Sequence, residues 1–552
     1  MYLIFDTETT GLPIDFKKDY TDIDNWETAR CVQLAWQLHN EYGELIEFGN
    51  DIIKPNNFDI PLSATKIHGI SNDLASKKGI CITDALMNFE KALNQTQFLI
   101  GHNIAFDINV INSEYCRLNK EIVLNQFKII DTMKSTVDYC QLRLGQEGII
   151  QSITEQGMFK DFYKFKITFS NNDSGLLYRK TNSLSNLSEG DKVSYDINNK
   201  GTVKIRKGFK SPKLEELYHV IFKEKMINAH NALADVDATG RCFFELLRSG
   251  FYSLDNTDLK QEDIVLFKSK NTSEIQLLNH YLDDVDLDSK IKVLNQDDDK
   301  VIYTPSSIDQ NKMFSAHIRC HTSYSILQST ISIKKLVNKV VDYGMHSVAI
   351  TDHGNLFGAF EFVNLCKQHN LLPIVGCEFY LVDNQKVRQG GFTRDKKDKR
   401  YSQVLYAKNE NGYKNLCKIS SYGYIDGLYA GFPRVDKVLI KQYKGDLIAT
   451  TSGLYGEIAN LFLNVGESKA KECFLWWLNE FKDDFYIELS RNGVEDEDEV
   501  NKILLSWARE YNVKYLPSRQ IYYIDKEDAR AHDALLCVKN GDQISTPKGR
   551  GH

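Results

Sequence analysis

Asp6 and Glu8 are the residues from which the chemistry of this chain can be read. They follow Tyr2-Leu3-Ile4-Phe5, a short apolar run that reads as a buried strand. Side chains two apart on a strand share a face, so the two carboxylates project together. Held side by side they repel each other unless something positive sits between them. The ordinary solution is a hard divalent cation with oxygen ligands, Mg2+ or Mn2+. Thr9-Thr10-Gly11-Leu12-Pro13 then turns the chain sharply beside the pair. An isolated Asp-x-Glu is more often a solvated strand end, so its meaning depends on acids elsewhere in the chain.

Two further segments carry acids at similar junctions. Phe98-Leu99-Ile100-Gly101 reads as a strand, and His102-Asn103-Ile104-Ala105-Phe106-Asp107 as a turn opening a helix. His230-Asn231-Ala232-Leu233-Ala234-Asp235 opens another helix, along which Val236, Phe243, Phe244 and Leu247 recur at helical spacing and face a sheet. Asp235 lies in its first turn and His230 in the loop ahead of it. Together these segments resemble the three motifs of the DEDDh 3′–5′ exonucleases, which include the proofreading subunits of bacterial replicases. The resemblance implies an RNase H-like α/β fold with a mixed sheet. It also implies four acids holding two metals (Asp6, Glu8, Asp107 and Asp235), with His230 as general base. Two metals roughly 3.5–4 Å apart can activate water and clamp the leaving 3′-oxygen. A histidine titrates near neutral pH and can take the proton.

The same resemblance places a DNA 3′ end against the turn after the first strand. Thr9 and Thr10 would lie near the 3′-OH, with Leu12 as an apolar wedge. Ile67-His68-Gly69-Ile70-Ser71 is similar to the loop that touches the terminal nucleotide, and Asn103 and Phe106 complete the substrate-contacting set. On its residues alone, His68 is an ordinary turn residue after the helix-like segment from Leu62 to Lys66.

Composition bounds the rest. The 552 residues, 42% hydrophobic and 26% charged, are those of a globular protein. No apolar run is long enough for a transmembrane helix, and the N-terminus lacks a signal-peptide pattern. Eleven cysteines without a C-x-x-C pair point to reduced thiols and a cytoplasmic protein. A formal net charge of −7 argues against tight non-specific DNA binding by the chain as a whole.

The nuclease is expected over residues 1–252, interrupted by a β-rich insertion over 145–210. There Phe165, Ile167 and Phe169 alternate with polar residues, and Val193, Tyr195 and Ile197 pair with Val203 and Ile205 across a turn. The pattern suggests a small barrel of OB or SH3 type. Lys200, Lys204, Arg206, Lys207 and Lys210 near Tyr195 and Phe209 could hold single-stranded nucleic acid, although a solvated surface or a protein-contact module is the commoner role of such a set. Gln141-Leu142-Arg143-Leu144 weakly resembles a sliding-clamp-binding peptide.

Residues 253–311, with acidic patches and little periodicity, read as a linker. From 312 to 552 helical and strand patterns alternate: a helix over Ile333–Tyr343, a strand at Ser347–Thr351, a helix over Phe357–His369 and a strand at Pro373–Val375. Such βα units imply a parallel sheet or barrel. Ala349-Ile350-Thr351-Asp352-His353-Gly354-Asn355 and Pro373-Ile374-Val375-Gly376-Cys377-Glu378 carry a resemblance to the PHP domain (a β/α barrel) of bacterial DNA polymerase III alpha subunits. Fusion of an exonuclease ahead of that domain implies a polymerase core and sliding clamp of a bacterial replisome as partners. No acid pair for nucleotide transfer is present beyond it, so polymerase activity is not expected in these residues. Active PHP domains hold several metals. His321, Asp352, His353 and Glu378 stand at ligand positions, but Arg319, Ser402, Asn492, Gln520 and Tyr522 replace other expected ligands. Arginine cannot ligate a metal, so Arg319 is expected to pair with Asp352 or Glu378 in a metal-poor, catalytically silent site.

Overall fold

The structure is a computed structural model. It describes residues 1–120, 124–159, 162–179, 187–197, 202–206, 208–226, 231–253, 259–278, 316–387, 399–541 and 543–544. His230 lies outside the described residues, as do Lys200, Lys207 and most of the expected linker. The chain divides into two compact units, Met1–Asp298 and Asp299–His552.

In the first unit β1 (Tyr2–Thr9), β2 (Cys31–His39), β3 (Leu45–Ile52), β4 (Phe98–Gly101) and β5 (Lys128–Asp131) form a sheet in the order β3-β2-β1-β4-β5. β1 lies at its centre, antiparallel to β2 and parallel to β4. Its alternation feeds two cores. Leu3 and Phe5 pack with Phe89, Ile108 and Ile111, from the helices Ile82–Leu93 and Ala105–Arg117. Tyr2 and Ile4 pack on the opposite face with Val236, Phe243, Phe244 and Leu247 of the helix Ala232–Ser249. That is the face the sequence assigns to this helix. Gly240 sets its close approach, because a Cβ there would stand 3.0 Å from Ile4 Cδ1. Part of the stretch read as a linker belongs to this unit: the helix Gln261–Lys270 buries Ile264 and stacks Phe267 on Phe244, centroids 5.5 Å apart.

The insertion is a barrel of β6 (Gln146–Phe159), β7 (Phe162–Phe169), β8 (Ser174–Arg179), β9 (Lys192–Ile197) and β10 (Val203–Arg206). The order is β10-β9-β6-β7-β8, and a parallel bridge from Leu176 to Thr202, just ahead of β10, closes the ring. Phe165, Ile167, Phe169, Leu177, Val193, Tyr195 and Val203 fill its interior. The chain leaves the nuclease at Leu142 and returns at Lys210, whose N–H donates to the Leu142 carbonyl at 2.8 Å. Leu142, from the clamp-like segment, packs beside Leu217 and Tyr218 in this neck.

The basic and aromatic set read at the barrel's end is not an open stacking platform. Tyr195 is buried against Phe169, centroids 3.6 Å apart. Arg206 pairs with Asp196 at 2.6 Å and Lys210 with Glu216. Phe209 lies under the Arg143 guanidinium.

The second unit is built on β11 (Ala316–His317), β12 (Ser347–His353), β13 (Leu372–Val382), β14 (Tyr401–Ala407), β15 (Leu428–Tyr429), β16 (Phe432–Asp436), β17 (Leu447–Thr450), β18 (Phe485–Ser490) and β19 (Tyr515–Ser518). The path β11-β12-β13-β14-β17-β18-β19 is parallel except around β14, and β16 joins β13 laterally. A parallel bridge between Cys320 and Ile521 brings the two ends together into a barrel. β13 runs on to Val382, past the predicted end at Val375, because Cys377, Phe379 and Leu381 continue an inward apolar alternation. Replacing Phe165 in the insertion by alanine is expected to cost about 3–5 kcal/mol, read as early melting of the barrel's strands by hydrogen exchange while β1 and β2 stay protected.

Candidate active site

The alternation of β1 also distributes the acids. Asp6 and Glu8 extend the Tyr2–Ile4 face, toward the helix that carries Asp235, and carboxylate oxygens of Asp6, Glu8 and Asp235 lie within 4.8 Å of one another. Asn231 starts that helix, its side-chain carbonyl accepting from the N–H groups of Leu233 and Ala234 at 3.2 and 3.4 Å. Asp107 comes from the other side of the sheet. One of its oxygens accepts from the Thr7 N–H at 3.1 Å and from the Thr7 hydroxyl at 2.7 Å. Three of the four expected acids therefore form the tight group, with Asp107 tied to the strand residue between the first two. The helix of Asp107 is itself fixed by buried Glu114, which accepts from Arg30 Nε at 2.9 Å and from the Cys31 N–H at 3.1 Å.

Electrostatics mark this as a place for a cation. Burial first, then the charges of Asp107, Asp235 and Glu8, push the Asp6 carboxyl well above its ordinary range. Burial raises Asp107 to about 7, against the lowering effect of its Thr7 hydrogen bonds. Carboxylate oxygens alone make up the group, the donor set of a hard divalent ion, so these residues fit one.

The expected substrate contacts divide. Leu12 is 61% exposed. Asn103 is exposed in the left-handed region (φ 65°), its N–H donating to Asp131 at 3.0 Å. Phe106 is half-buried between Trp26 and Phe16. Thr9 and Thr10 hold the turn: Thr9 donates to the Gly11 carbonyl at 2.7 Å, and Thr10 donates to the Thr28 carbonyl at 3.0 Å and accepts from the Arg30 N–H at 2.9 Å. His68 is buried at the end of the helix Leu62–His68, its Nδ1 accepting from the Ile70 N–H at 3.1 Å. Phe16, 62% exposed beside Phe106, was missed by sequence reasoning. Its signal is an apolar residue in a loop that packing does not require.

In the second unit a different solution appears. Arg319, 1% exposed, donates from Nη2 to Glu378 at 2.6 Å and from Nη1 to Glu488 at 3.0 Å and to the Ser452 carbonyl at 3.0 Å. Glu488, buried on β18, is the partner that the sequence did not disclose; a glutamate amid Phe485-Tyr486-Ile487 was its signal. Asp352, the other expected partner, accepts from Thr322 and Ser325 instead. Ser402 donates to Glu378, and Gln520, with its amide carbonyl toward the guanidinium, accepts from Arg319 Nη2 at 2.5 Å. Asn492 turns away to Glu497. Tyr522 stacks on His321, centroids 4.3 Å apart, and its hydroxyl lies 3.1 Å from His353 Nε2.

His321, His353 and Glu378 present ligand atoms within 4.8 Å of one another. A metal nevertheless does not fit, because Glu378 already faces Arg319, His321 at 2.9 Å and Ser402. Although burial pulls the Glu378 carboxyl upward, the Arg319 charge and the hydrogen bond with His321 hold it well below its usual range. Burial drives His353 down to about 3, so it is neutral.

The exonuclease family matches residues 3–156, which include Asp6, Glu8 and Asp107 but not Asp235. The PHP domain family matches residues 317–492. The chain carries an exonuclease domain and a PHP domain. Over the PHP region the chain is similar to DNA polymerase III subunit alpha of several bacteria. The Campylobacter jejuni subunit is 37% identical over 252 residues, 43% of this chain and 20% of that protein. The Borreliella burgdorferi subunit is 37% identical over 229 residues, 42% of this chain and 20% of that one. The alignments thus span about a fifth of these polymerase subunits. A solved exonuclease I from Methylocaldum szegediense, 18% identical, covers 45% of this chain and 40% of its own with a TM-score of 0.26, too low to bear on the fold. An exonuclease-type domain implies dependence on a divalent metal. No helix among the described residues is long and apolar enough to cross a membrane.

Both sites make measurable demands on stability. A carboxyl raised from 3.8 to about 7 on folding binds more protons in the native state across that window, so it makes stability fall as pH rises through it. In chelator, the melting temperature of wild type is expected to drop between pH 5 and 8 more steeply than that of Asp107→Asn, with Mg2+ restoring it at pH 8. Arg319→Ala leaves two buried carboxylates without their cation and is expected to cost about 3–5 kcal/mol, measured by urea denaturation.

Proposed function

We propose that the first unit is a two-metal 3′–5′ exonuclease that removes nucleoside 5′-monophosphates from a DNA 3′ end, in the manner of a proofreading nuclease. The convergence of Asp6, Glu8 and Asp235, with Asp107 beside them, carries this reading. These four acids would hold two Mg2+ or Mn2+ ions, which supply water activation and charge neutralisation at the phosphate. The residues do the positioning. Thr7 fixes the Asp107 carboxylate, the turn held by Thr9 and Thr10 presents Leu12, and Leu12, Phe16 and Phe106 offer apolar surface to the terminal base. His230, five residues ahead of Asp235, is the proton acceptor on the strength of its place in the motif.

The PHP domain, in this reading, is a non-catalytic scaffold of a bacterial replisome in the cytoplasm, with the polymerase core and sliding clamp as partners. Its likeness to DNA polymerase III subunit alpha supports the context, and the internal cation Arg319 supports its silence.

Digestion of matched and mismatched primer–template DNA, and of RNA, with and without Mg2+, tests the assignment. Asp6→Ala is expected to lose at least a hundredfold in rate, and Asp352→Asn to stay close to wild type. Loss in the second variant alone would mean that the two units have been assigned backwards, and faster digestion of RNA would reassign the substrate. Phe16→Ala is expected to raise KM for a primer terminus several-fold while kcat changes less.

A further inference from the structure

The barrel's connectivity says more than its size. Counted from its own start, the ring runs first, second, third, fifth, fourth, closed by the parallel contact at Leu176 and Thr202. This is the connectivity of the OB barrels, whose second and third strands present an outer face to oligonucleotides. Here those strands are β7 and β8. Because Phe165, Ile167, Phe169 and Leu177 point inward, alternation turns Lys164, Lys166 and Thr168 of β7 outward, with Leu176 and Tyr178 of β8 beside them. Lys164 stands opposite Tyr178, and Lys166 lies between Leu176 and Thr154 of β6. Neither β7 nor β8 contains a carboxylate, in a chain whose net charge is −7. Lys164 and Lys166 form no ion pair with the described residues, whereas Lys192 on β9 pairs with Glu147 and Arg206 on β10 with Asp196. Positive charge beside an aromatic on an OB face complements a phosphate backbone with unstacked bases.

We propose that the outer face of β7 and β8 holds single-stranded nucleic acid, its phosphates against Lys164 and Lys166 and a base against Tyr178. This site is separate from the acid cluster and from the basic set at the end of the barrel. The neck keeps the two sites in one unit: His102, immediately before Asn103 in the segment that leads to Asp107, has Nδ1 3.0 Å from the Thr132 hydroxyl and Nε2 3.0 Å from the Pro212 carbonyl. A strand lying on the barrel would raise the local concentration of 3′ ends at the nuclease.

The test uses the full chain in chelator, so that no strand is cut and the result does not depend on the nuclease assignment. Fluorescence anisotropy follows binding of labelled oligothymidylate and oligouridylate. Lys164→Glu/Lys166→Glu is expected to weaken binding at least tenfold and to reduce the slope of log affinity against log salt by about 1.4, the value for two lost single-strand phosphate contacts. Tyr178→Ala is expected to weaken it about fivefold or more. Lys192→Glu, which removes a positive charge from another strand of the barrel, is expected to change it less than twofold. Unchanged affinity in a double variant with a native circular dichroism spectrum overturns the proposal. So does a loss in Lys192→Glu that matches the double variant charge for charge. Binding of either oligomer through this face supports it, and the preferred one identifies the sugar.

Discussion

Mutual repulsion among crowded, half-buried carboxylates is the constraint around which the first unit is organised. Asp6, Glu8 and Asp235 would separate if left to themselves, and the fold spends its most rigid elements on preventing that. β1 is the central strand, covered on both faces. The helix of Asp235 lies close to it over Gly240, and the helix of Asp107 is pinned through Thr7 at one end and through Glu114 and Arg30 further along. Charges that cannot move apart create a standing demand for a cation, and affinity for one follows from rigidity as much as from ligand identity.

The second unit met a comparable demand from inside the chain. Glu378 and Glu488 face a guanidinium that is covalently present, always charged and rich in donors. The residues at the other expected ligand positions fall into a consistent pattern around it. Ser402 and Gln520 complete the polar contacts, Tyr522 covers His321, and Asn492 serves a neighbouring loop. Such a centre resists loss of its cation in a way that a metal site does not, but it forgoes an open coordination position for chemistry.

Much of this was legible in the sequence because short patterns determined it. Val236, Phe243, Phe244 and Leu247 sit where helical spacing put them, and Phe165, Ile167 and Phe169 fill the barrel as strand alternation required. The pairing of Val203 and Ile205 with Ile197 and Tyr195 was also foreseeable, since a Gly-containing turn joins the two alternating runs. What escaped depends on distant partners. Glu488 is a buried acid whose reason lies on another strand, and Phe16 gains meaning only beside Phe106. The partners of Thr10 escaped too, because nothing local reveals that the Thr28 carbonyl and the Arg30 N–H claim its hydroxyl. The helix Gln261–Lys270 read as linker because its apolar pattern is weak, although Ile264 and Phe267 anchor it to the core.

The neck of the barrel has an implication for how the nuclease tolerates its insertion. Leu142 and Lys210 meet through one hydrogen bond of 2.8 Å, so the intervening chain begins and ends at nearly the same point. Entropy of loop closure grows only slowly with length, and an insert that folds on itself presents its host with a connection as short as a hairpin. The sheet of the nuclease therefore need not register what hangs from this point. Between its second and third acidic segments the fold has a socket, into which evolution can fit one module or another without disturbing the acids on either side.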